Sequence, residues 1–258
     1  MTGTALPAAR RPGPAAWGQL LLAEARMVVR DTSGLVVPIG FPVLLLVMNG
    51  VSQGGDQVLP GGTTVMNGII MPLTTTMVVA LVGVVNMPSF LCTYRKYGIL
   101  RRLSVTPARP AMILAAQMAV SLVQVLIGVG LMAAIGALAF GVAAPPALGW
   151  ALLAGALLVA AMYGVGTLIA AVAPSVGAGL AIGLAAFFVM LALGGGLGPI
   201  ANLPEALQAV GERLPYGAGN AALAAAWSGE RPEALHLAVL AVWGAVTGGL
   251  AARFFRWT

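Results

Sequence analysis

Very few residues of this chain could do covalent or metal chemistry. It holds one Cys (Cys92), one His (His236) and one Lys (Lys96). A disulfide within the chain is excluded, and a His/Cys metal cluster lacks its ligands. A phosphate-cradling loop needs GxxxxGK[ST], and the single Lys follows Thr93-Tyr94-Arg95. No His stands beside a Ser or Cys nucleophile, and no pair of carboxylates lies inside an apolar run, so acyl transfer and aspartyl proteolysis have no machinery. The chemistry that remains is electrostatic docking. Tyr94, Arg95, Lys96, Tyr97, Gly98, Leu100, Arg101 and Arg102 lie in a loop that carries five basic residues and no acid. A topology anchor needs only the charge. The ordered aromatics, the Gly and the Thr106-Pro107 stop favour a helical knob that seats on a partner protein.

The elements that must position these residues are membrane spans. Of the 258 residues, 60% are hydrophobic and 8% charged, with a mean hydropathy of +0.98. Soluble domains run near 25% charged, so this chain has too little polar surface to cover a soluble fold. Six apolar stretches, at about 34–51, 64–85, 111–140, 148–173, 176–197 and 234–252, suit the roughly 20 residues that cross the hydrocarbon. The fold class is all-α: six spans, an interfacial helix before the first, a coupling helix after the second and a re-entrant pair before the sixth. Residues 1–16 read as a flexible tail and 17–258 as one transmembrane domain. Eleven basic residues fall on the side of both termini, against Arg213 and Arg231 on the other. This bias places both termini in the cytoplasm of a multi-pass cell-membrane protein. It also accounts for the net charge of +6 without nucleic acid. The apolar core at Leu20–Leu22 is too short for a secretory signal.

The segment 17–30 reads as an amphipathic interfacial helix, with Gln19, Arg26 and Arg30 on one stripe and Trp17, Leu20, Leu21, Met27 and Val28 opposite. Glu24 falls on the apolar side; either it pairs with a basic residue of the next cytoplasmic loop or it reaches water at the helix edge. A short helix starts at Pro88-Ser89, with Phe90, Leu91, Tyr94 and Tyr97 apolar, and Gly98 interrupts it. On the other side, 204–214 and 218–227 form two helical runs. The second dips into the outer leaflet or packs on the span ends, and Gly194, Gly195 and Gly196 let the chain turn back or approach another helix closely. Asn67, Thr74, Thr75 and Thr76, with Gln117, Ser121 and Gln124 at i, i+4, i+7, either bridge helices or line a pathway. The GxxxG pairs Gly179/Gly183 and Gly244/Gly248 carry little weight in a chain with 35 Gly. No charge lies inside a span and the halves show no repeat, so a proton relay and an inverted-repeat transporter are both unsupported. The chain lacks its own energy source, which points to a separate ATPase.

The stretch Gly98-Ile99-Leu100-Arg101-Arg102-Leu103-Ser104-Val105-Thr106-Pro107 is similar to the G-T-L-x-x-L-x-x-T-P coupling helix of type-2 ABC exporter permeases. Daunorubicin-resistance-type permeases are nearest in size. Leu203-Pro204 and Leu214-Pro215-Tyr216 resemble that family's outer-loop landmarks, and the likeness runs from about Trp17 to Arg256. The family carries acids just ahead of the Gly, where this chain has Tyr94-Arg95-Lys96-Tyr97. The resemblance implies a dimer of permeases, of itself or with a sister, and an ABC ATPase that holds ATP and Mg; this chain itself needs no cofactor and is no enzyme. Tyr94 to Arg102 would couple the two proteins. Substrate would pass between the first, second and fifth spans of both copies. The 6% aromatic content leans toward a lipophilic drug or lipid rather than a sugar polymer. A channel and a non-transporting scaffold are the readings from other classes.

Overall fold

The computed structural model describes residues 13–52, 55–59, 62–98 and 110–254. These form helices α1 (Pro14–Arg30), α2 (Thr32–Val51), α3 (Met66–Lys96), α4 (Pro110–Phe140), α5 (Leu148–Val172), α6 (Val176–Leu193), α7 (Glu205–Arg213), α8 (Pro215–Trp227) and α9 (Ala234–Phe254). Among the described residues there is no strand, only an isolated bridge between Val58 and Thr64. Six helices, α2 to α6 and α9, are long and apolar enough to cross a membrane.

The bundle is built around α3. Of its apolar window 94% is buried inside the chain, against 28% for each of α2, α4 and α6. It packs on α2, α4, α5, α6 and α8, while α9 lies along α5. The expected span ended near residue 85, with a new helix at Pro88. Instead α3 runs unbroken to Lys96. The reason is a π-helical segment, Leu81–Asn86, immediately ahead of Pro88. Proline removes an N–H and clashes with the turn before it, and the wider π turn takes up that strain. The N–H of Met87 reaches back five residues to the Val82 carbonyl. At the same spacing the Gly83 carbonyl would need an N–H at residue 88, where Pro88 has none.

Neighbouring helices cover these loosened carbonyls with glycine. A Cβ on Gly166 of α5 would stand 1.9 Å from the Gly83 oxygen, and one on Gly183 of α6 2.5 Å from the Val84 oxygen. Only a bare Cα fits there, and weak Cα–H contacts are what such oxygens can receive in a dry interior. Gly179 packs on the Cys92 sulfur and Gly244 on the Ala160–Ala161 backbone. The glycine pairs thus serve packing inside the chain at three of their four positions; a Cβ on Gly248 would meet nothing.

In α2, Pro38 leaves the Gly34 carbonyl without its usual donor four residues on. Two side chains take its place: Asn86 Nδ2 of α3, and Gln124 Nε2 of α4 at 2.7 Å. Three spans are therefore pinned at one orphaned oxygen. Asp31 caps α2, accepting from Gly34 N at 3.0 Å and Ser33 Oγ at 2.7 Å.

At the opposite end, α6 stops at Leu193 rather than near residue 197. Gly195 has a left-handed backbone (φ +88°), and a Cβ on Gly194 would meet the Tyr216 ring at 2.7 Å. The glycines both turn the chain and admit α8 closely. Helix α8 starts at Pro215, whose fixed φ suits a first helical position. It packs on the spans α5 and α3, with Tyr216, Ala218, Ala222, Leu223 and Ala226 buried.

Candidate functional site

The candidate coupling residues lie where α3 ends, beside α1 and the turn from α5 to α6. The helix stops because Gly98 is left-handed (φ +62°), with its N–H on the Arg95 carbonyl at 3.1 Å. The run expected to face a partner divides into three parts. Tyr94 is buried. Arg95 is half-buried and turned into the chain: Nη1 donates to the Ala170 carbonyl at 2.8 Å and Nη2 to that of Ala173. It thereby caps the C-terminus of α5, where a cation also complements the helix dipole. Lys96 and Tyr97 are exposed, with the ammonium 5.5 Å from the Tyr97 ring centre. Leu100, Arg101 and Arg102 lie outside the described residues, as do most of the expected tail and the segment 99–109. A cleft of about 460 Å³ opens here, lined by Cys92, Arg95, Lys96, Pro174, Ser175 and Val176.

Helix α1 packs on α4 and α2. Trp17, Arg26 and Arg30 are exposed, whereas Glu24 is only 6% exposed. Among the described residues its partner is a tyrosine; Arg101, Arg102 and Arg109, the expected basic partners in the next loop, lie outside the described residues. The Tyr94 hydroxyl donates to Glu24 Oε2, and also lies 3.2 Å from Gln117 Oε1 of α4. Gln117 Nε2 reaches Ser121 Oγ at 3.4 Å. Burial raises the Glu24 carboxyl above its ordinary value, and the Tyr94 hydrogen bond opposes this in part. The Asp31 carboxyl, by contrast, is held below its ordinary value, first by the Gly34 N–H and then by the Ser33 hydroxyl.

Of the polar residues weighed as a pathway, Asn67 and Thr74 make local hydrogen bonds. Asn67 Nδ2 donates to Thr64 Oγ1 at 3.0 Å, and its Oδ1 accepts from Ala143 N at 3.2 Å, tying α3 to the segment after α4. Thr74 Oγ1 donates to the Ile70 carbonyl at 2.7 Å. Thr75 and Thr76 are buried inside the chain without a hydrogen-bond partner. Gly194, Gly195 and Gly196 lie at the far end, beside α8. Neither they nor Asn67 converge with the described coupling residues Tyr94 to Gly98.

A family model described as ABC-2 type transporter matches residues 16–226. The chain belongs to this family. No curated protein and no solved structure matches it. As an ABC-2 permease it is a multi-pass membrane transport component, not itself catalytic, and its kind of partner is an ABC ATPase. The match takes in nearly all of α1 and runs through nearly all of α8, so α1 and the pair α7 and α8 lie within the matched region.

Several contacts of this ABC-2 permease were not legible as pairs in its sequence. Pro38 marks which carbonyl is orphaned, but nothing local marks Asn86 and Gln124 as its donors. The Gly166 and Gly183 contacts follow from the π turn, whose one sequence signal is Pro88. The Glu24–Tyr94 bond joins residues 70 apart; the signal for it was a carboxylate on an apolar helix face.

Proposed function

We propose that this chain is the permease half of an ATP-driven exporter in the cytoplasmic membrane, with both termini in the cytoplasm. The observation that carries the reading is where α3 ends. The most buried helix of an ABC-2 domain emerges at Lys96-Tyr97-Gly98 and passes directly into the basic stretch with Arg101 and Arg102. A push on that stretch acts on a helix that touches four other spans. Two permeases, identical or sister chains, pair through the exposed apolar faces of α2 and α6. Each seats its loop on an ABC ATPase, which binds ATP and Mg. ATP shifts the spans only through contacts that differ between inward and outward states.

The substrate is lipophilic or amphipathic, a drug or a lipid, and moves outward between the two copies. Asn67, the Thr74–Thr76 run and Gly194–Gly196 are the path residues of this reading. In the state described, the three Thr side chains face the chain's own interior, so α3 must turn about its axis before they meet substrate.

The test is co-purification with ABC ATPase subunits, followed by ATPase stimulation in vesicles. Wild type should bind and stimulate one of them, and Arg101→Glu/Arg102→Glu should lose both. If the double variant keeps both, the coupling assignment is wrong. If no ATPase binds wild type, the exporter reading fails.

A further inference from the structure

The buried line Glu24, Tyr94, Gln117, Ser121 joins α1, α3 and α4 just inside the candidate coupling segment. Tyr94 has one hydroxyl proton and two acceptors within reach, Glu24 Oε2 and Gln117 Oε1. Gln117 turns its amide nitrogen toward Ser121, so its oxygen faces Tyr94. Two hydrogen bonds through one hydroxyl need a second proton, and Glu24 is the group that can carry it. With Tyr94 donating to Glu24 Oε2, Gln117 Oε1 competes for the same proton; a neutral Glu24 can donate instead to the Tyr94 oxygen and free the Tyr94 proton for Gln117.

We propose that Glu24 is a positioning residue for energy coupling: as a neutral acid it latches the amphipathic helix α1 onto Tyr94 at the end of α3, and its ionisation, which leaves a buried charge and takes the Tyr94 proton away from Gln117, loosens the latch. This deepens the exporter reading and rests on it. Tyr94 sits three residues before Tyr97, where α3 passes into the exposed loop. The bond therefore lets α1 follow any displacement of that loop.

Among the described residues, no charged group is paired with Glu24. On α1, Arg26 and Arg30 are exposed. On α3, Arg95 is engaged with the Ala170 and Ala173 carbonyls, and Lys96 lies by Tyr97. Cys92 faces Gly179 of α6. Asp31, which caps α2, holds Ser33 and Gly34. Helix α4 carries no ionisable side chain at all; Arg101, Arg102 and Arg109, ahead of it in sequence, lie outside the described residues. Burial disfavours the charged form of a carboxyl so placed, which agrees with its raised value. The sign follows: stability from a raised carboxyl is fully present below its unfolded value and is lost as pH rises through its folded value.

Two measurements test the proposal. The first needs the permease alone. Thermal stability of wild type, Glu24→Gln and Tyr94→Phe is followed from the ordinary glutamate range upward into mildly alkaline pH, the direction in which burial moves the Glu24 carboxyl. Wild type should lose stability as the pH rises, and Glu24→Gln, a permanently neutral replacement, should not. Tyr94→Phe should be weaker than wild type at low pH. Parallel profiles for wild type and Glu24→Gln overturn the proposal. The second adds the ATPase. Its stimulation by wild type should fall, approaching tenfold per pH unit above the transition, while Glu24→Gln stays level. Parallel falls here, with the first result as expected, refute the positioning role. An ATPase that ignores wild type at every pH overturns the exporter reading instead, and the first measurement still reports whether Glu24 is neutral.

Discussion

Gly155 and Gly166 lie on the same helix, α5, and accept the same substitution with opposite expected results. A Cβ on Gly155 would meet nothing within 4 Å. Alanine there gains helix propensity, about 0.8–1.0 kcal/mol. At Gly166 a Cβ would stand 1.9 Å from the Gly83 carbonyl oxygen and 3.0 Å from its carbon. Both are backbone atoms, so no rotamer change relieves the overlap, and α5 must retreat by about 1 Å to reach the nearest approach Cβ atoms make. A gap of 0.5–1 Å forfeits roughly a quarter to a half of the dispersion energy of each contact it opens. Overpacking of this kind costs about 1–3 kcal/mol. Because the obstacle is backbone, the upper end applies. Setting about 1 kcal/mol of propensity against it leaves a net loss of roughly 2 kcal/mol. The two variants should therefore differ by roughly 3 kcal/mol, with wild type between them. Reversible unfolding in mixed micelles titrated with SDS measures this, and thermal shift should follow at roughly 2–4 °C per kcal/mol. If Gly166→Ala proves as stable as Gly155→Ala, α5 does not sit flush on the π turn, and the account of how α3 accommodates Pro88 collapses with it.

Two further predictions concern the basic half of the bundle. Replacing Asn86 or Gln124 with Leu should each cost about 0.5–1.5 kcal/mol, the net value of one hydrogen bond, because the other donor still serves the Gly34 carbonyl; replacing both should add the roughly 1–3 kcal/mol penalty of a buried carbonyl left without a donor. In a Pro38→Ala background the cost should shrink, because residue 38 then offers its own N–H to Gly34; a double-mutant cycle with no coupling would contradict the assignment. Asp31 supplies the pH dependence of opposite sign to Glu24. Its folded carboxyl is lowered, so its contribution is present above the ordinary aspartate range and is lost as pH falls through the folded value. The stability difference between wild type and Asp31→Asn should therefore close on acidification; a difference constant with pH would refute the cap.

Six spans, their rough bounds and the glycine turn at Gly98 were legible in the sequence because each rests on a local property: a run of apolar residues, or a residue type suited to one backbone conformation. The end of α3 was not. Pro88 is a local breaker by rule, yet the rule assumes an α-helix on both sides, and a π turn voids that assumption. Ser33, Asp31 and Gly34 form a cap that spacing alone could suggest, whereas Asn86 and Gln124 reach Gly34 from two other helices, and no single-chain periodicity encodes such a meeting. The candidate coupling run was found as a run, but its division into buried Tyr94, inward-turned Arg95 and exposed Lys96 and Tyr97 depends on which helices stand beside α3. Residue type gave the charge; only packing gave the direction.

That direction bears on how force could cross the bundle. At 1.5 Å per residue, the 31 residues of α3 extend about 46 Å, well beyond the roughly 30 Å of hydrocarbon. A loop attached to its end therefore acts on one long member rather than on a jointed pair. The π segments Met66–Ile70 and Leu81–Asn86 are the places where that member is least regular, and the second is the place where bare glycine Cα atoms of α5 and α6 lie on it. Interlocked side chains would resist sliding there, but a glycine against a carbonyl offers little to interlock. The opposite holds on the side of α2 and α4, where hydrogen bonds from Asn86 and Gln124 to Gly34, and from Tyr94 to Glu24, fix the register. A push at Tyr97 thus meets α2, α4 and α1 as bodies that must move with α3, and α6 as a surface past which α3 can shift, while Arg95 holds the C-terminal end of α5 to it.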